Sequence, residues 1–337
     1  MRGSRAVRVF YVTAYWPTEE TPWSAPFIAR QVDFLRRAGL DVEVFHFRGY
    51  RNLANYVRIY RRLHACLRRE RYDVIHAQFG HSGFLAGLPK RAPLVVTFQG
   101  SDLEGIYGPH GHYELISYPL RLAMQLVAYL ADEVIVVSQR LGRLLWRKDY
   151  HVLPGGVDLD LFRPLDQRVA RERLRLPLDK KLILFVGAPE KPVKRYPLAC
   201  EVVRVLDPSL DAELVVASGI PPHQMPLYMN AADALLVTSK HEGSPNTVKE
   251  ALACNLPIVS VDVGDVRERL EGVANCVVVP SDEATVIAQH LTDILRSGLR
   301  SNGREAARAL DEAQLAKQHI AIYESAIRKY RGERTKR

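Results

Sequence analysis

Cysteine is scarce and scattered. The four thiols, Cys66, Cys200, Cys254 and Cys276, show no Cys-x-x-Cys spacing, which excludes a zinc ribbon and a disulfide-stapled scaffold and makes a reducing cytosol the default compartment. Long apolar runs are missing too: no stretch approaches the roughly 20 residues a membrane span needs, and MRGSRAVRVFYVTAYW lacks a secretory-type apolar core. The chain therefore reads as cytoplasmic, either soluble or peripheral at the inner face of a membrane. Low-complexity segments and internal repeats are absent, and 47% hydrophobic with 25% charged residues is globular rather than disordered composition. His76, His81, His110 and His112 have no HExxH-type spacing, so no metal is expected.

What is present is length and positive charge. At 337 residues the chain is too long for one ordinary core and comfortable for two. The formal charge is +9, and residues 1–165 carry most of it, with 22 Lys and Arg against 15 Asp and Glu. Such an excess attracts nucleic acid or an anionic membrane surface. No nucleic-acid motif accompanies it, and no nucleic-acid partner is expected. The densest segment, Arg51–Arg71, sets Arg58, Arg61, Arg62, Arg68, Arg69 and Arg71 around Leu53, Val57, Tyr60, Leu63 and Leu67. A basic amphipathic helix of this kind can lie on an anionic leaflet; a connecting helix with its apolar stripe on a sheet is the plainer reading.

Short β-rich runs alternate with helical spacing along the whole chain. Strands are predicted at 7–14, 42–47, 74–77, 94–98 and 133–137, with helices at 27–38, 53–70 and 118–131 between them. Turn residues in LPGGVD, 153–158, then break the pattern, and a second unit starts with strands at 182–187, 213–217 and 233–238 and helices at 197–206 and 226–231. The fold class is α/β, two parallel sheets each covered on both faces. The boundaries fall at 1–157, 158–315 and 316–337, the last a helix from a stretch at 312–330 plus a basic tail.

The chemistry concentrates in HEGSPNTVKEALACNLPIVSVDVGDVRER, residues 241–269. Ser244 reads as an N-cap with Pro245 at the first helical position, so a helix over 245–254 points its free N–H groups at Glu242-Gly243-Ser244, where a diphosphate can sit. Glu242 precedes the cap and Glu250 lies in the second turn, about 10 Å along the axis. One can hold a hexose and the other a ribose. Gly187–Arg195 follows a buried strand and offers Lys191, Lys194 and Arg195 to a leaving diphosphate. Gln99 ends another strand and can bind a hydroxyl without exchanging a proton, while Asp102 is either a loop cap or an acceptor-side carboxylate. The loop 15–27 contributes Trp16, Trp23 and Ala25 as further cleft candidates.

At Glu242-x7-Glu250, with the strand before it and PIVSV and Gly264-Asp265 after it, the chain resembles glycosyltransferase family 4, retaining enzymes of the GT-B fold with two facing Rossmann-like domains. The wording is similar to bacterial members that build teichuronic acids, capsules and exopolysaccharides. The resemblance implies that Glu242 contacts the donor sugar and Glu250 the ribose. It further implies that Gly243, Ser244, Asn246, Thr247 and Val248 hold sugar and diphosphate through backbone N–H groups. Lys194 matches the family's lysine after Gly187, but Ala188 stands where an arginine is usual, which leaves Lys191 or Arg195 to supply that charge. Gln99 stands where many relatives have histidine, and Ser24-Ala25-Pro26 where they often have a glycine pair. The base is expected near Ser218, Gly219 and Ile220, with UDP-sugar and GDP-sugar both open. The implied activity is metal-independent retaining transfer to a hydroxyl of a glycan or lipid-linked acceptor. A degenerate, non-catalytic nucleotide-sugar binder or scaffold is the alternative.

Overall fold

The computed structural model describes residues 6–48, 52–108 and 111–332; Arg51, His110 and the basic tail past 332 lie outside them, as does the Leu53 side chain. The first lobe is a parallel sheet of β1 (Arg8–Thr13), β2 (Asp41–His46), β3 (Val74–Gln78), β4 (Leu94–Phe98), β5 (Glu133–Val136) and β6 (His151–Val152), in the order β2-β1-β3-β4-β5-β6. Its helices are α1 (Pro26–Arg37), α2 (Leu53–Arg69), α3 (Gly80–Gly87), α4 (Ser101–Glu104), α5 (Ser117–Leu130) and α6 (Gln139–Arg143). The second lobe is a parallel sheet of β7 (Lys181–Val186), β8 (Ala212–Ala217), β9 (Ala234–Val237), β10 (Ile258–Val261) and β11 (Cys276–Val279), in the order β11-β10-β9-β7-β8. Around it lie α7 (Gln167–Leu174), α8 (Tyr196–Arg204), α9 (Met225–Ala231), α10 (Asn246–Ala253), α11 (Val266–Leu270), α12 (Ala284–Ser297) and α13 (Gly303–Ala307). The chain ends on α14 (Glu312–Tyr330).

Every residue of β3 and β4 is buried, as continuous apolar runs require of strands covered on both faces. In each sheet the strand order reverses beside the lobe's first strand, between β1 and β3 and between β7 and β9. Crevices open at such switch points, beyond the strands' carboxyl ends. The loops leaving β1 and β7 are therefore placed by topology at the ligand-binding edge.

Helix α14 crosses back to the first lobe. Leu315, Ala316, Ile322, Tyr323 and Ala326 join Ile28, Val32 and Leu35 of α1 in one core against Val9, Tyr11, Val74, Val95 and Ile135 of the sheet. Two strands of chain thus connect the lobes, and they touch: Val157 N–H donates to Leu310 O at 2.9 Å, and Glu312 N–H donates to Val157 O at 3.2 Å.

On the opposite face Ile59, Leu63 and Leu67 of α2 pack on the sheet, with Arg58, Arg61, Arg62, Arg68 and Arg69 in solvent. The plainer reading of that basic segment is the one its packing matches. Helix α3 is not anticipated by the sequence reading, because GHSGFLAG has three glycines and little helical propensity. It forms where side chains would not fit. A Cβ at Gly80 would meet Met124 and Phe98, and one at Gly83 would meet Val127 and Val96 at 2.9 Å. Among the described residues no helix is long and apolar enough to cross a membrane.

Under α14, His76 Nδ1 lies 2.6 Å from the Tyr323 hydroxyl and its Nε2 2.8 Å from Thr97 Oγ1, all three side chains being buried. Tyr323→Phe removes one partner of this chain and leaves a buried ring nitrogen unpaired. The expected cost is about 1–3 kcal/mol, read as a lower urea midpoint with unchanged slope.

Candidate active site

The loop after β7 turns sharply at Gly187, whose φ of +146° favours glycine and whose missing side chain makes room for the Lys194 stem. A short 3-10 turn, Pro192–Lys194, then aims the amine inward, and Thr238 Oγ1 fixes its backbone by donating to Lys194 O at 2.9 Å. Lys194 Nζ meets Glu242 Oε1 at 2.6 Å. Burial pushes the Glu242 carboxyl up, but the Lys194 charge and hydrogen bond, helped by Ser239 and His241, outweigh it and leave the group below its ordinary range. Glu242 is therefore a carboxylate at neutral pH, fit to accept hydrogen bonds from hydroxyls.

Eight residues on, Glu250 is buried in α10 and faces the other lobe. Arg30 of α1 donates to its Oε1 at 2.8 Å, with the guanidinium 5.4 Å from the Phe162 ring centroid. Burial raises the Glu250 pKa, and Arg30 and Lys249 oppose the rise. The helix mouth departs in one respect from the sequence reading. Helix α10 starts at Asn246, so Pro245 takes the cap position, and no side chain caps the first N–H groups. Ser244 Oγ instead donates to Asp265 Oδ2 at 2.8 Å and accepts from Lys249 Nζ at 3.2 Å, because a buried carboxylate and a buried amine compete for it. Lys249 Nζ also donates to Gly155 O at 2.8 Å, tying this helix to the interlobe connection, and burial lowers its pKa to about 8. Asn246 Oδ1 and Asp265 Oδ1 are buried without a hydrogen-bond partner.

The two lobes meet at glycine. A Cβ at Gly243 would fall on the Gln99 carbonyl oxygen, and one at Gly100 would stand 3.1 Å from Gly243 N. Beside this contact His241 Nδ1 lies 3.3 Å from Glu104 Oε2, with the imidazole near the rings of Tyr107 and Tyr113. Gln99 is half-buried at that edge. Asp102 is not presented to the cleft: its oxygens accept from the N–H groups of Gly80 (3.1 Å), Gln99 (3.2 Å) and Gly100 (2.9 Å), so it is a loop cap. Arg195 is likewise spent elsewhere, on Thr238 O at 2.5 Å and Asp282 at 2.8 Å, which corrects its candidacy for the charge missing at Ala188. Lys191 is exposed and makes no ion pair among the described residues. Ala25 caps α1 in the left-handed region at φ +46°, the conformation a glycine would adopt freely. Ser218 and Gly219, the latter at φ +66°, leave β8 exposed at the same edge.

Sequence reasoning missed Arg30, Lys249, His241 and Glu312. Lys249 alone had a visible signal, its place inside the apolar run VKEALAC. Arg30 and Glu312 are ordinary helix-face residues until the two lobes are brought together.

Residues 5–161 match the Glycosyltransferase Family 4 model and residues 183–297 the Glycosyl transferases group 1 model. TuaC of Bacillus subtilis (strain 168), described as a teichuronic acid biosynthesis glycosyltransferase, is 26% identical over 353 residues, covering 85% of this chain and 88% of its own. A D-inositol 3-phosphate glycosyltransferase of Mycolicibacterium paratuberculosis is 29% identical over 316 residues, covering 78% of this chain and 69% of its own. Among solved structures, sucrose-phosphate synthase from Thermosynechococcus elongatus superposes with a TM-score of 0.78 at 18% identity, covering 94% of this chain and 98% of that one. Anabaena Alr3699/HepE in complex with UDP and glucose gives 0.67 at 16% identity, covering 95% and 100%. The fold is GT-B, two Rossmann-like domains facing one cleft. The chain is a glycosyltransferase of the GT-B type, its first lobe similar to family 4 and its second to the group 1 glycosyl transferases.

Two outcomes follow from the interlobe geometry. Gly243→Ala pushes the Gln99 carbonyl away and separates the lobes, so turnover should fall about 100-fold while donor affinity on the second lobe is largely kept, as a kcat against KM comparison will show. Glu312, buried against Gly156, has its pKa raised by burial to about 7, with Arg30 and Lys249 opposing. From pH 4.5 to 7 the folded state then holds a proton that the unfolded state has lost, so this group's contribution falls as pH rises through that window. Glu312→Gln should flatten that part of the stability profile, measured by denaturant unfolding at several pH values.

Proposed function

We propose that the protein transfers a sugar from a UDP- or GDP-sugar, with retention of configuration and without a metal, to a hydroxyl of a surface glycan or its lipid-linked precursor. The observation that carries this reading is the pairing of Lys194 with Glu242 at 2.6 Å directly before the uncapped N-terminus of α10, with Glu250 buried further along the same helix. The positive end of α10 and the Lys194 amine supply charge where a diphosphate leaves. Glu242 accepts from the hexose and Glu250 from the ribose, Arg30 sharing or yielding its place. Backbone N–H groups from Gly243 to Val248 serve sugar and diphosphate. The open acceptors Asn246 Oδ1 and Asp265 Oδ1 supply further positions for ligand hydroxyls.

The chemistry needs no separate base. The acceptor hydroxyl attacks the anomeric carbon on the face the nucleotide leaves, the bond to the diphosphate oxygen breaks, and that oxygen takes the hydroxyl proton. The chain contributes position and charge, and closure of the lobes over the donor excludes water. Gln99, at the glycine contact, orients a sugar hydroxyl. Lys191, exposed beside Lys194, takes the phosphate role that Ala188 cannot. Ser218 and Gly219 border the base. The similarity to TuaC, whose description names teichuronic acid biosynthesis, supports the surface-glycan part of this reading; capsule or exopolysaccharide assembly on the cytoplasmic side of the membrane belongs to the same proposal.

The test is a thermal-shift series with UDP-, GDP-, TDP- and ADP-sugars, followed by donor turnover. One nucleotide should raise the melting temperature. Glu242→Ala and Lys194→Ala should each lower transfer by about 100-fold or more with folding intact. Donor binding without turnover in the wild type would instead identify a non-catalytic nucleotide-sugar binder.

A further inference from the structure

A long exposed apolar surface lies outside the cleft. Helix α5 turns Met124, Val127 and Ala128 to the sheet and leaves Tyr118, Leu122, Leu126 and Tyr129 in solvent, each at least 52% exposed. Their spacing of four, four and three residues makes one continuous stripe along the helix. Leu144 and Trp146, after α6, extend it, and Trp146 is 58% exposed. Their position is built rather than accidental. Buried Gln125 donates to Leu144 O at 3.1 Å and accepts from Trp146 N–H at 2.9 Å, so both side chains are held outward by a polar brace. Soluble surfaces rarely carry so large an apolar patch without a partner.

Charge says which partner. Arg140 and Arg143 of α6 and Lys148 stand exposed along the patch, and neither arginine pairs with an acid among the described residues. Asp149, the acid next to them, is already held by Arg147 at 2.7 and 2.8 Å. A second copy of this chain docked here would bring arginines against arginines. A leaflet with anionic headgroups offers the complement to both features, hydrocarbon for the stripe, interface for Trp146 and Tyr129, phosphate for the arginines.

We propose that the α5–α6 face, and not the arginine-rich α2, docks the protein on an anionic lipid bilayer. A groove of about 550 Å3 runs inward from this face, lined by Leu122, Tyr118, Arg121, Tyr113 and Glu104. Glu104 and Tyr113 both touch His241, next to Glu242. A lipid-linked acceptor held in the leaflet therefore reaches the sugar site along one wall of the first lobe. That last step rests on the transferase reading; the docking itself does not.

The full chain is sedimented with phosphatidylcholine vesicles and with vesicles that also contain phosphatidylglycerol. Wild type should partition to the anionic vesicles, and the Leu122→Ser/Leu126→Ser/Trp146→Ser triple variant should lose at least about tenfold in partition. Leu299→Ser, an equally exposed leucine on the second lobe, should lose nothing. As a check independent of the variant's folding, brominated phosphatidylcholine in the anionic vesicles should quench wild-type tryptophan emission, and Trp146→Phe should abolish the quenching. Equal partition of wild type and triple variant, no preference for anionic vesicles, or quenching that survives Trp146→Phe would each overturn the proposal. So would a dimer in sedimentation velocity that the triple variant dissolves while vesicle binding is unchanged. Donor thermal shifts, read without vesicles, separate failure of this proposal from failure of the transferase reading.

Discussion

The separation between the lobes is set where Gly243 lies against the carbonyl of Gln99 and the backbone of Gly100, a contact with room for hydrogen and nothing larger. Everything at the cleft is spaced from that point. With it in place Glu250 comes within reach of Arg30, and His241 within reach of Glu104. Lys194 and Glu242 belong to the same lobe and would keep their partnership without it. What the contact adds is the first lobe's wall, which turns a charged groove into an enclosed one. Low dielectric strengthens each ion pair there, so geometry and electrostatics have a common origin.

That enclosure carries a cost. Lys249, Glu250 and Asp265 are almost wholly buried around one short helix, and burial lowers the Lys249 pKa to about 8. Hydrophobic residues in those places would give an equal or firmer fold. Their retention at one helix mouth, with two carbonyl and carboxylate oxygens left unmatched, fits a region shaped for a polar ligand rather than for cohesion.

How much of this could be read from the amino acids divides along physical lines. The central β-strands of both lobes were visible as apolar runs between turns, because parallel strands buried on both faces cannot hide their composition, whereas the edge strands β6 and β11, short and only partly buried, were not. The two glutamates were visible because they flank a proline-led helix start. Helix α3 was not, since its glycines exist to admit Phe98 and Met124 from elsewhere in the fold. Nor could the competition for Ser244 be foreseen, which depends on Asp265 arriving from the following loop. Arg30 and Glu250 are 220 positions apart, and no local pattern links them. Asp102 shows the limit from the other side: its residue type suited two roles, and only the three N–H groups around it decide between them.

The return of α14 to the first lobe has a consequence for the order of assembly. Tyr323 and its neighbours on that helix fill a face of a sheet whose strands were synthesised roughly 190 to 310 residues earlier. On the ribosome, the lobe that emerges first has only α1 on that face until α14 arrives, while the later one can close on its own segment of chain. The first lobe's core is thus closed only when α14, the last of the described helices, is in place.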